Sequence, residues 1–450
     1  MNDILSMPGR ALAQRMRERT LSPVDVVGAF LERSASAGRQ LNAFSALYAE
    51  DAHHAAGEVA REIENGRCAG ALHGVPIALK DSIDIAGRRT AAGSAHFLDR
   101  VAQRSATVVE RLLGGGAVIV GKTQMVEFGL GAVGINAHFG TPWNPWSVHA
   151  HHAPGGSSSG AAVAVAARLV PWAIGTDTGG SARIPAAWCG VTGMKPTRDW
   201  FDMSGVTPLS PTLDSMGLIT RDAGDLAYLM HALAGIDVPP NPPGRPLQGI
   251  RVGVLADREL DAVEPGILED YAKAVDALAG LGAVVARAAL PRSLQSYRED
   301  TSAITFREAY ALYGTLARNP KSRLDEGVRR RLIQAESFLD RDMGEVFAER
   351  ARMQAEYAAA MAGVDTLVTP TTQRSAPLVA DAASIDPPNR FTRFVNYLDL
   401  CAVSVPNGFT PEGLPGGLQI VCGRRGDALA IRIAMAYQAS TDWHTRVSPW

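Results

Sequence analysis

Two glycine-serine stretches constrain this chain more than any other feature of its sequence. PGGSSSG ends at Gly160 and GTDTGGSAR ends at Arg183, which places Ser157 and Ser181 24 residues apart. Because glycine tolerates backbone dihedrals that other residues resist, each stretch predicts a tight turn that presents a serine, and the first turn can hold a cis peptide. With Lys80 upstream in an apolar run, the pattern indicates a serine nucleophile activated by a lysine.

The run before Lys80 suits a lysine that acts as a base. A serine hydroxyl needs a base within hydrogen-bond reach, and an amine serves only when it is unprotonated. The ordinary pKa of lysine is about 10.4, so burial must lower it by roughly three units, or about 4 kcal/mol. Val75, Ile77 and Leu79 predict a buried strand that carries Lys80 into the interior. Because successive strand residues point to opposite faces, Asp81 is predicted to face away from Lys80.

The turn before Ser181 predicts an oxyanion hole. Thr178, Gly179 and Gly180 are small, so the backbone can turn tightly and aim consecutive N–H groups at one point. Such a point is where the negative oxygen of a tetrahedral intermediate is stabilised.

Three segments together resemble the amidase signature family, which consists of serine hydrolases with a Ser-cisSer-Lys triad. The segments are GVPIALKDSID, PGGSSSGAAVAVAARLVPWAIGTDTGGSARIPAAWCGVTGMKPT and GVTPLSPTLDSMG. The likeness is dense between residues 60 and 225 and returns near the C-terminus in VNYLDLCAVSVPNGFTPEGLPGGLQI. The resemblance implies these roles: base, Lys80; bridging cis-serine, Ser157; nucleophile, Ser181; oxyanion-hole donors, Thr178, Gly179 and Gly180; support of the nucleophile turn, Asp177 and Arg183.

Two departures from the family pattern are visible. The glycine pair that follows the double serine is Ser159-Gly160 here, and residues 198–205 read RDWFDMSG where a YGR-type run is common. The second departure predicts a reshaped pocket mouth, which affects the class of substrate and leaves the chemistry unchanged.

The resemblance also implies an α/β fold, in which a large mixed central β-sheet is covered on both faces by α-helices. Strand-like runs alternate with helical stretches along the chain, as such a layered architecture requires. We expect a single domain over residues 1–450, made of N-terminal helices over about 1–66, a signature core over about 67–237 and a C-terminal part over about 247–450 that completes the sheet.

The predicted function is that of an amidase, which cleaves a small carboxamide or a related C–N bond through an acyl-enzyme on Ser181. The resemblance implies that the segment after the second strand lines the acyl pocket. This segment is apolar and glycine-rich here, so Gly129, Leu130 and Gly131 are expected to accommodate an apolar or aromatic acyl group. The expected partner is a small-molecule amide, and a homodimer is one expected assembly.

Two other functions fit the same fold. The family includes the A subunit of a tRNA-dependent amidotransferase, which releases ammonia from glutamine within a complex. A non-catalytic binding protein is the other, although intact Lys80, Ser157 and Ser181 argue against it.

Short motifs offer further alternatives. GAVIVGKT at 116–123 fits the phosphate-loop pattern, but its middle reads as the core of a strand, which disfavours a nucleotide site. GSSSG fits the nucleophile elbow of α/β-hydrolases with Ser158 as nucleophile, yet no strand-like run precedes it. Asp177-Thr178-Gly179 spells the aspartic-protease triplet without the second carboxylate that such enzymes need. Lys122 and Lys195 are rival bases, and structural roles are expected for both.

Three histidines, His149, His151 and His152, form the one metal-like cluster in the sequence. No histidine or acidic set at helical spacing accompanies them, so we predict a polar loop with no metal and no cofactor. They run directly into the turn that carries Ser157, and their role stays open.

Composition and charge limit the remaining classes. A chain of 450 residues that is 46% hydrophobic and 20% charged can bury a large core, and a formal net charge of -2 gives no electrostatic footprint for nucleic acid or an anionic membrane. The first residues lack the apolar run of a signal peptide. The scattered Cys68, Cys189, Cys401 and Cys422 are typical of free thiols in a reducing cytoplasm, where we expect the protein.

Overall fold

One large mixed sheet organises the chain. The computed structural model describes residues 2–67 and 70–450, and within them eleven strands hydrogen-bond side by side in one sheet. The strands are β1 Phe44–Leu47, β2 Pro76–Lys80, β3 Val118–Thr123, β4 Trp172–Asp177, β5 Thr192–Lys195, β6 Ser215–Thr220, β7 Arg251–Val254, β8 Val284–Arg287, β9 Thr366–Pro370, β10 Cys401–Phe409 and β11 Pro415–Cys422. Their order across the sheet is β1-β3-β2-β4-β6-β5-β10-β11-β9-β7-β8.

Helices pack around this sheet. In the described ranges the α-helices are α1 Asn2–Ser6, α2 Gly9–Arg17, α3 Pro23–Gln40, α4 Ala49–Glu64, α5 Thr107–Gly114, α6 Ser159–Ala166, α7 Arg183–Trp188, α8 Ala223–Ala234, α9 Asp257–Leu260, α10 Pro265–Gly280, α11 Leu294–Arg318, α12 Glu326–Gln334, α13 Met343–Ala360, α14 Arg393–Tyr397 and α15 Asp427–Ala439. Short 3-10 helices span Ala95–Phe97, Glu127–Gly129, Arg198–Trp200, Ala335–Phe338, Val379–Asp381 and Trp443–Thr445.

The sheet is mixed and contains strands from both halves of the sequence. Strand β2 pairs in parallel with β3 and β4, and β7 pairs in parallel with β8 and β9, whereas β4, β6, β5, β10, β11 and β9 pair antiparallel in that order. The pairing of β10 with β5 joins the C-terminal strands to those of the signature segments. The single-domain organisation stays a prediction.

Two apolar cores lie on opposite faces of the sheet. Ile77 and Leu79 of β2 belong to one buried cluster, and Ala78 between them belongs to another together with Val163 of α6. This alternation follows from the two-residue period of a strand. The predicted α/β fold, with a large mixed sheet covered on both faces by helices, is confirmed.

Strands β2 and β4 and helix α6 bring the predicted site residues to one edge of the sheet. Because β2 and β4 are parallel and Leu79 pairs with Ile174, their carboxyl ends lie side by side. Helix α6 is entirely buried and made of small residues, which lets its backbone approach its neighbours closely. A Cβ at Gly160 would lie 2.3 Å from the carbonyl oxygen of Ala43, so packing requires the last glycine of PGGSSSG.

The structure describes three of the four cysteines and the apolar character of the helices. Cys189, Cys401 and Cys422 are buried free thiols, and Cys68 lies outside the described residues. In the part of the chain that the structure describes, no helix has both the length and the apolar character needed to cross a membrane.

Candidate active site

Lys80 is the last residue of β2 and is completely buried. Its Nζ donates hydrogen bonds to Ser157 Oγ and to Thr176 Oγ1, both at 2.7 Å. Asp81 lies on the opposite face of the chain, where its carboxylate accepts from Lys122 Nζ at 3.4 Å. The alternation of side chains along the strand therefore separates Lys80 from the acid that follows it in the sequence.

Burial makes the ammonium form of Lys80 costly. It lowers the pKa of Lys80 to about 7, and the charges of Asp214 and Asp177 oppose this shift. Neither carboxylate lies within ion-pair distance of Lys80 in the described structure. A substantial fraction of Lys80 is consequently an unprotonated amine near neutral pH, which is the state in which it accepts a proton.

Asp214 is a buried carboxyl that sequence reasoning did not assign. It accepts from Thr178 Oγ1 and from the amides of Leu209 and Ser210. Burial raises the pKa of Asp214 to about 6, against the lowering effect of these hydrogen bonds and of the charge on Lys80. Asp214 lies within GVTPLSPTLDSMG, so the resemblance marked the segment but not the residue.

Thr176 is the other missed contact of Lys80. It lies in β4 one residue before Asp177, within the strand that leads into the GTDTGGS turn. No general rule for serine activation calls for a threonine there, so only the pairing of β2 with β4 brings it to the amine.

The first serine turn holds two serines in different environments. The Gly156-Ser157 peptide is cis, and Ser157 Oγ lies against Lys80 Nζ. Ser158 is fully buried; its hydroxyl donates to the carbonyl oxygen of Thr176 at 3.2 Å and its amide donates to the carbonyl oxygen of Ser181 at 3.0 Å. Ser158 thus fastens the two serine turns to each other, which leaves its hydroxyl poorly placed for the nucleophile-elbow alternative.

Ser181 lies between β4 and α7 and is 8% exposed. Within residues 2–67 and 70–450 its hydroxyl forms no hydrogen bond, and in particular none joins it to Ser157. The structure therefore connects Lys80 to Ser157 directly and leaves the Ser181 hydroxyl free at the cavity wall.

The turn before Ser181 is fixed by a buried ion pair. Arg183 donates to both carboxylate oxygens of Asp177, at 3.0 Å from Nε and 2.8 Å from Nη2, and neither side chain is exposed. Burial acts to raise the pKa of Asp177, but the charge and hydrogen bonds of Arg183 outweigh it and hold that pKa well below its usual range. Arg183 also donates to the side chains of Gln419 and Asn396, so it ties this turn to the C-terminal part of the chain.

The backbone amides of this turn are not equivalent. Gly180 N donates to Asp177 Oδ1 at 2.9 Å, whereas the amides of Gly179 and Ser181 have no hydrogen-bond partner among the described residues. Gly180 has a φ of 120°, and a Cβ there would lie 2.3 Å from Thr392 Oγ1, so only glycine fits. Gly180, one of the predicted oxyanion donors, therefore has its amide bonded to the Asp177 carboxylate, whereas the amides of Gly179 and Ser181 carry no such bond among the described residues.

A small cavity of about 60 Å³ opens beside Ser181. Its walls include the predicted acyl-pocket residues Gly129, Leu130 and Gly131 and the turn residues Thr178 and Gly179. They also include three polar side chains that the sequence did not single out, Thr305, Asn389 and Arg393. The pocket is therefore more polar than its glycine-rich segment predicts. A larger cavity of about 530 Å³ lies between α13, β9 and the end of β11 and contains none of the predicted site residues.

The other predicted features lie away from the small cavity beside Ser181. Residues 198–205 are absent from its lining; Trp200 in this segment donates to Asp427. His151 stacks on Trp143 at 4.3 Å and His152 contacts the carbonyl oxygen of Ala376.

The rival lysines have partners of their own. Lys122 is in strand β3, within the phosphate-loop-like segment, and contacts Asp81 and Thr90. Burial lowers the pKa of Lys195 to about 8, and its Nζ donates to the carbonyl oxygens of Pro196 and Leu400. Neither lysine contacts a serine hydroxyl among the residues that the structure describes.

Comparisons with known proteins place this arrangement in a family. The sequence profile of the family described as Amidase matches residues 25–430. The 2-amino-5-chloromuconic acid deaminase of Comamonas testosteroni is 35% identical, with 95% of this chain and 94% of the relative aligned. The glutamyl-tRNA(Gln) amidotransferase A subunit of Methylococcus capsulatus is 34% identical over 97% of both chains.

Solved structures agree with the sequence matches. The native peptide amidase of Stenotrophomonas maltophilia superposes with a TM-score of 0.84 at 29% identity and covers 99% of this chain and 98% of its own. The predicted enzyme class, an amidase that acts on C–N bonds, is confirmed by these relatives. The chain therefore belongs to the amidase family, as its glycine-serine and lysine segments predict.

Proposed function

We propose that the protein is an amidohydrolase that cleaves a small carboxamide or a related C–N bond through an acyl-enzyme on Ser181. The observation that carries the proposal is the 2.7 Å hydrogen bond between Ser157 Oγ and a completely buried Lys80 amine. A lysine with a pKa of about 7 can accept a proton at neutral pH, and the only serine hydroxyl it contacts in the described structure is that of Ser157.

The reaction follows from this arrangement. Lys80 takes the proton of Ser157, Ser157 takes that of Ser181, and Ser181 attacks the carbonyl carbon of the substrate. The amides of Gly179 and Ser181 donate to the developing oxyanion, beside the predicted donor Thr178. The leaving amine takes its proton back through Ser157, and water hydrolyses the acyl-enzyme by the same relay.

One contact of this relay must form during the reaction. No hydrogen bond joins the hydroxyls of Ser157 and Ser181 in the described structure. Catalytic hydrogen bonds are often long in free enzymes and shorten when substrate is bound, and a rotation of the Ser181 side chain about χ1 moves its hydroxyl without moving the backbone.

A second candidate is the A subunit of a tRNA-dependent amidotransferase. It is favoured by the 34% identity, over 97% of both chains, to a relative of that name. In that case glutamine is the amide substrate and other chains are needed to complete the complex. A third candidate substrate class follows from the relative named 2-amino-5-chloromuconic acid deaminase, since that name describes the removal of an amino group from a carboxylic acid.

Labelling with a fluorophosphonate probe tests the nucleophile. We expect the wild-type protein to be labelled, Ser181→Ala to be unlabelled and Lys80→Ala to be labelled at least about 100-fold more slowly, given the usual contribution of a general base. Ser337→Ala, which removes an exposed serine hydroxyl, is the matched control and should label as the wild type does. Undiminished labelling of Ser181→Ala would remove the assignment.

Ammonia release then separates the candidate substrates. The panel consists of primary amides, anilides, hydrazides, glutamine and 2-aminomuconate. Turnover of simple amides by the purified chain supports the proposed hydrolase, whereas turnover of glutamine only with co-purified partner chains supports the amidotransferase.

A further inference from the structure

An arginine without a carboxylate partner lines the cavity beside Ser181. Arg393 begins helix α14, and its Nη1 contacts the Ser302 hydroxyl and donates to the carbonyl oxygen of Arg298 at 3.3 Å. In the described parts of the chain no acidic side chain forms an ion pair with it. The nearby Arg298, by contrast, is paired with Asp386 at 2.6 Å.

The side-chain stem and Nε of Arg393 lie beside the turn that carries Ser181. A Cβ at Gly179 would be 3.2 Å from Arg393 Cγ and 3.6 Å from its Nε. Both residues line the cavity together with Ser181. Arg393 and Ser181 therefore share the walls of one small cavity.

Two of the three guanidinium nitrogens of Arg393 remain available to a ligand. Nε and Nη2 have no hydrogen-bond partner among residues 2–67 and 70–450, and together they form the side of the guanidinium that binds a carboxylate through two parallel hydrogen bonds. Asn389, which is 5% exposed and also lines the cavity, has an Oδ1 with no partner in the same part of the chain. A buried polar atom that lacks a protein partner is costly unless a ligand supplies one.

Burial of this charge has a measurable consequence. Desolvation lowers the pKa of Arg393 to about 10; the charge of Arg298 acts in the same direction, and the charge of Asp386 opposes both. An anionic ligand in the cavity would supply the direct ion pair that Arg393 lacks among the described residues. An apolar ligand would remove water from Arg393 without compensation, which is unfavourable.

We propose that Arg393 binds a carboxylate on the acyl portion of the substrate, so that the preferred substrates are short amides that carry a second, ionised carboxyl group. This inference rests on the proposed amidohydrolase function, because it places the scissile carbonyl at Ser181. Asn389 Oδ1 accepts a hydrogen bond from an N–H or O–H group of the same substrate.

A pair of matched amides tests the proposal. Succinamate ends in a carboxylate, and 4-methylpentanamide replaces that carboxylate by an uncharged isopropyl group of the same branching. We expect Arg393→Gln to lower kcat/KM for succinamate by about 10- to 100-fold, the range of a charge-assisted hydrogen bond, and to change kcat/KM for 4-methylpentanamide by less than about threefold. Arg352→Gln removes an exposed positive charge on α13 and should leave both values unchanged.

A binding measurement separates this proposal from the function on which it rests. Succinamate is titrated calorimetrically into Ser181→Ala and into the double variant Ser181→Ala/Arg393→Gln, which need no turnover. Binding that the second substitution weakens by about 10-fold or more supports the role of Arg393 even if the wild type hydrolyses no amide, in which case only the hydrolase proposal fails. Equal kcat/KM losses on both amides, or equal binding to both variants, would overturn the proposal.

Discussion

Replacement of Lys80 by methionine should stabilise the folded protein more at low pH than at high pH. A lysine that is hard to protonate in the folded protein lowers the free energy of unfolding at every pH at which that lysine is protonated in the unfolded chain. The pKa of Lys80 falls from an ordinary value of 10.5 to about 7 on folding. The cost is therefore fully present below pH 7 and disappears as the pH rises towards 10.5.

The magnitude follows from proton linkage. With these two pKa values, the cost of Lys80 is about 5 kcal/mol at pH 6 and about 2 kcal/mol at pH 9, a difference of about 3 kcal/mol. Methionine keeps the length of the side chain and removes the charge. It also removes the hydrogen bonds to Ser157 and Thr176, a loss of about 1 kcal/mol each that applies at both pH values.

Urea unfolding of the wild type and of Lys80→Met at pH 6 and pH 9 provides the measurement. The free energy of unfolding of the variant, minus that of the wild type, should be larger at pH 6 by about 3 kcal/mol. Lys273→Met is the control, because this exposed lysine pairs with Glu269 and its pKa is raised, so any pH dependence has the opposite sign. If the difference for Lys80→Met is the same at both pH values, the reasoning is refuted, since Lys80 then carries equal charge in both states.

Two further predictions concern catalysis and the nucleophile turn. The kcat/KM of the wild type on an amide should rise with pH through a midpoint near 7, as Lys80 loses its proton. Asp214→Asn should move that midpoint to lower pH, because it removes a negative charge that favours the ammonium form of Lys80. An unmoved midpoint in the variant would contradict the assignment. Arg183→Met leaves Asp177 buried without its counter-charge and should lower the free energy of unfolding, measured in urea, by about 3–5 kcal/mol. The double variant Arg183→Met/Asp177→Asn should recover part of that loss. If it recovers none, packing rather than charge is responsible.

The sequence predicts those parts of the site that depend on local geometry. Val75, Ile77 and Leu79 alternate with polar or small positions, and that period alone separates Lys80 from Asp81. The glycine turns are also local, because positive φ at Gly155 and Gly180 follows from the absence of a side chain. The family resemblance then supplied the sheet and the enzyme class.

The contacts that the sequence did not predict join residues far apart in the chain. Thr176 meets Lys80 only because β2 and β4 pair in parallel, and Arg393 reaches Gly179 from 214 residues away. The proposed oxyanion donors show a different limit of prediction from sequence. The sequence GTDTGGS does not predict that the Asp177 carboxylate accepts a hydrogen bond from the amide of Gly180, because a short carboxylate can bond any of several nearby N–H groups.

The buried charges of this site divide into two kinds, and the division explains its chemistry. Asp177 and Arg183 neutralise each other, so their pair holds the turn and takes no proton at neutral pH. Among the described residues Lys80 has no such partner, because Asp177 is bonded to Arg183, and Asp214 to Thr178 and backbone amides. Had either acid formed an ion pair with Lys80, the pKa of the amine would remain high and the base would stay protonated. In the proposed mechanism, the stability lost by burying Lys80 without an ion pair is what leaves its amine unprotonated and able to accept the proton of Ser157.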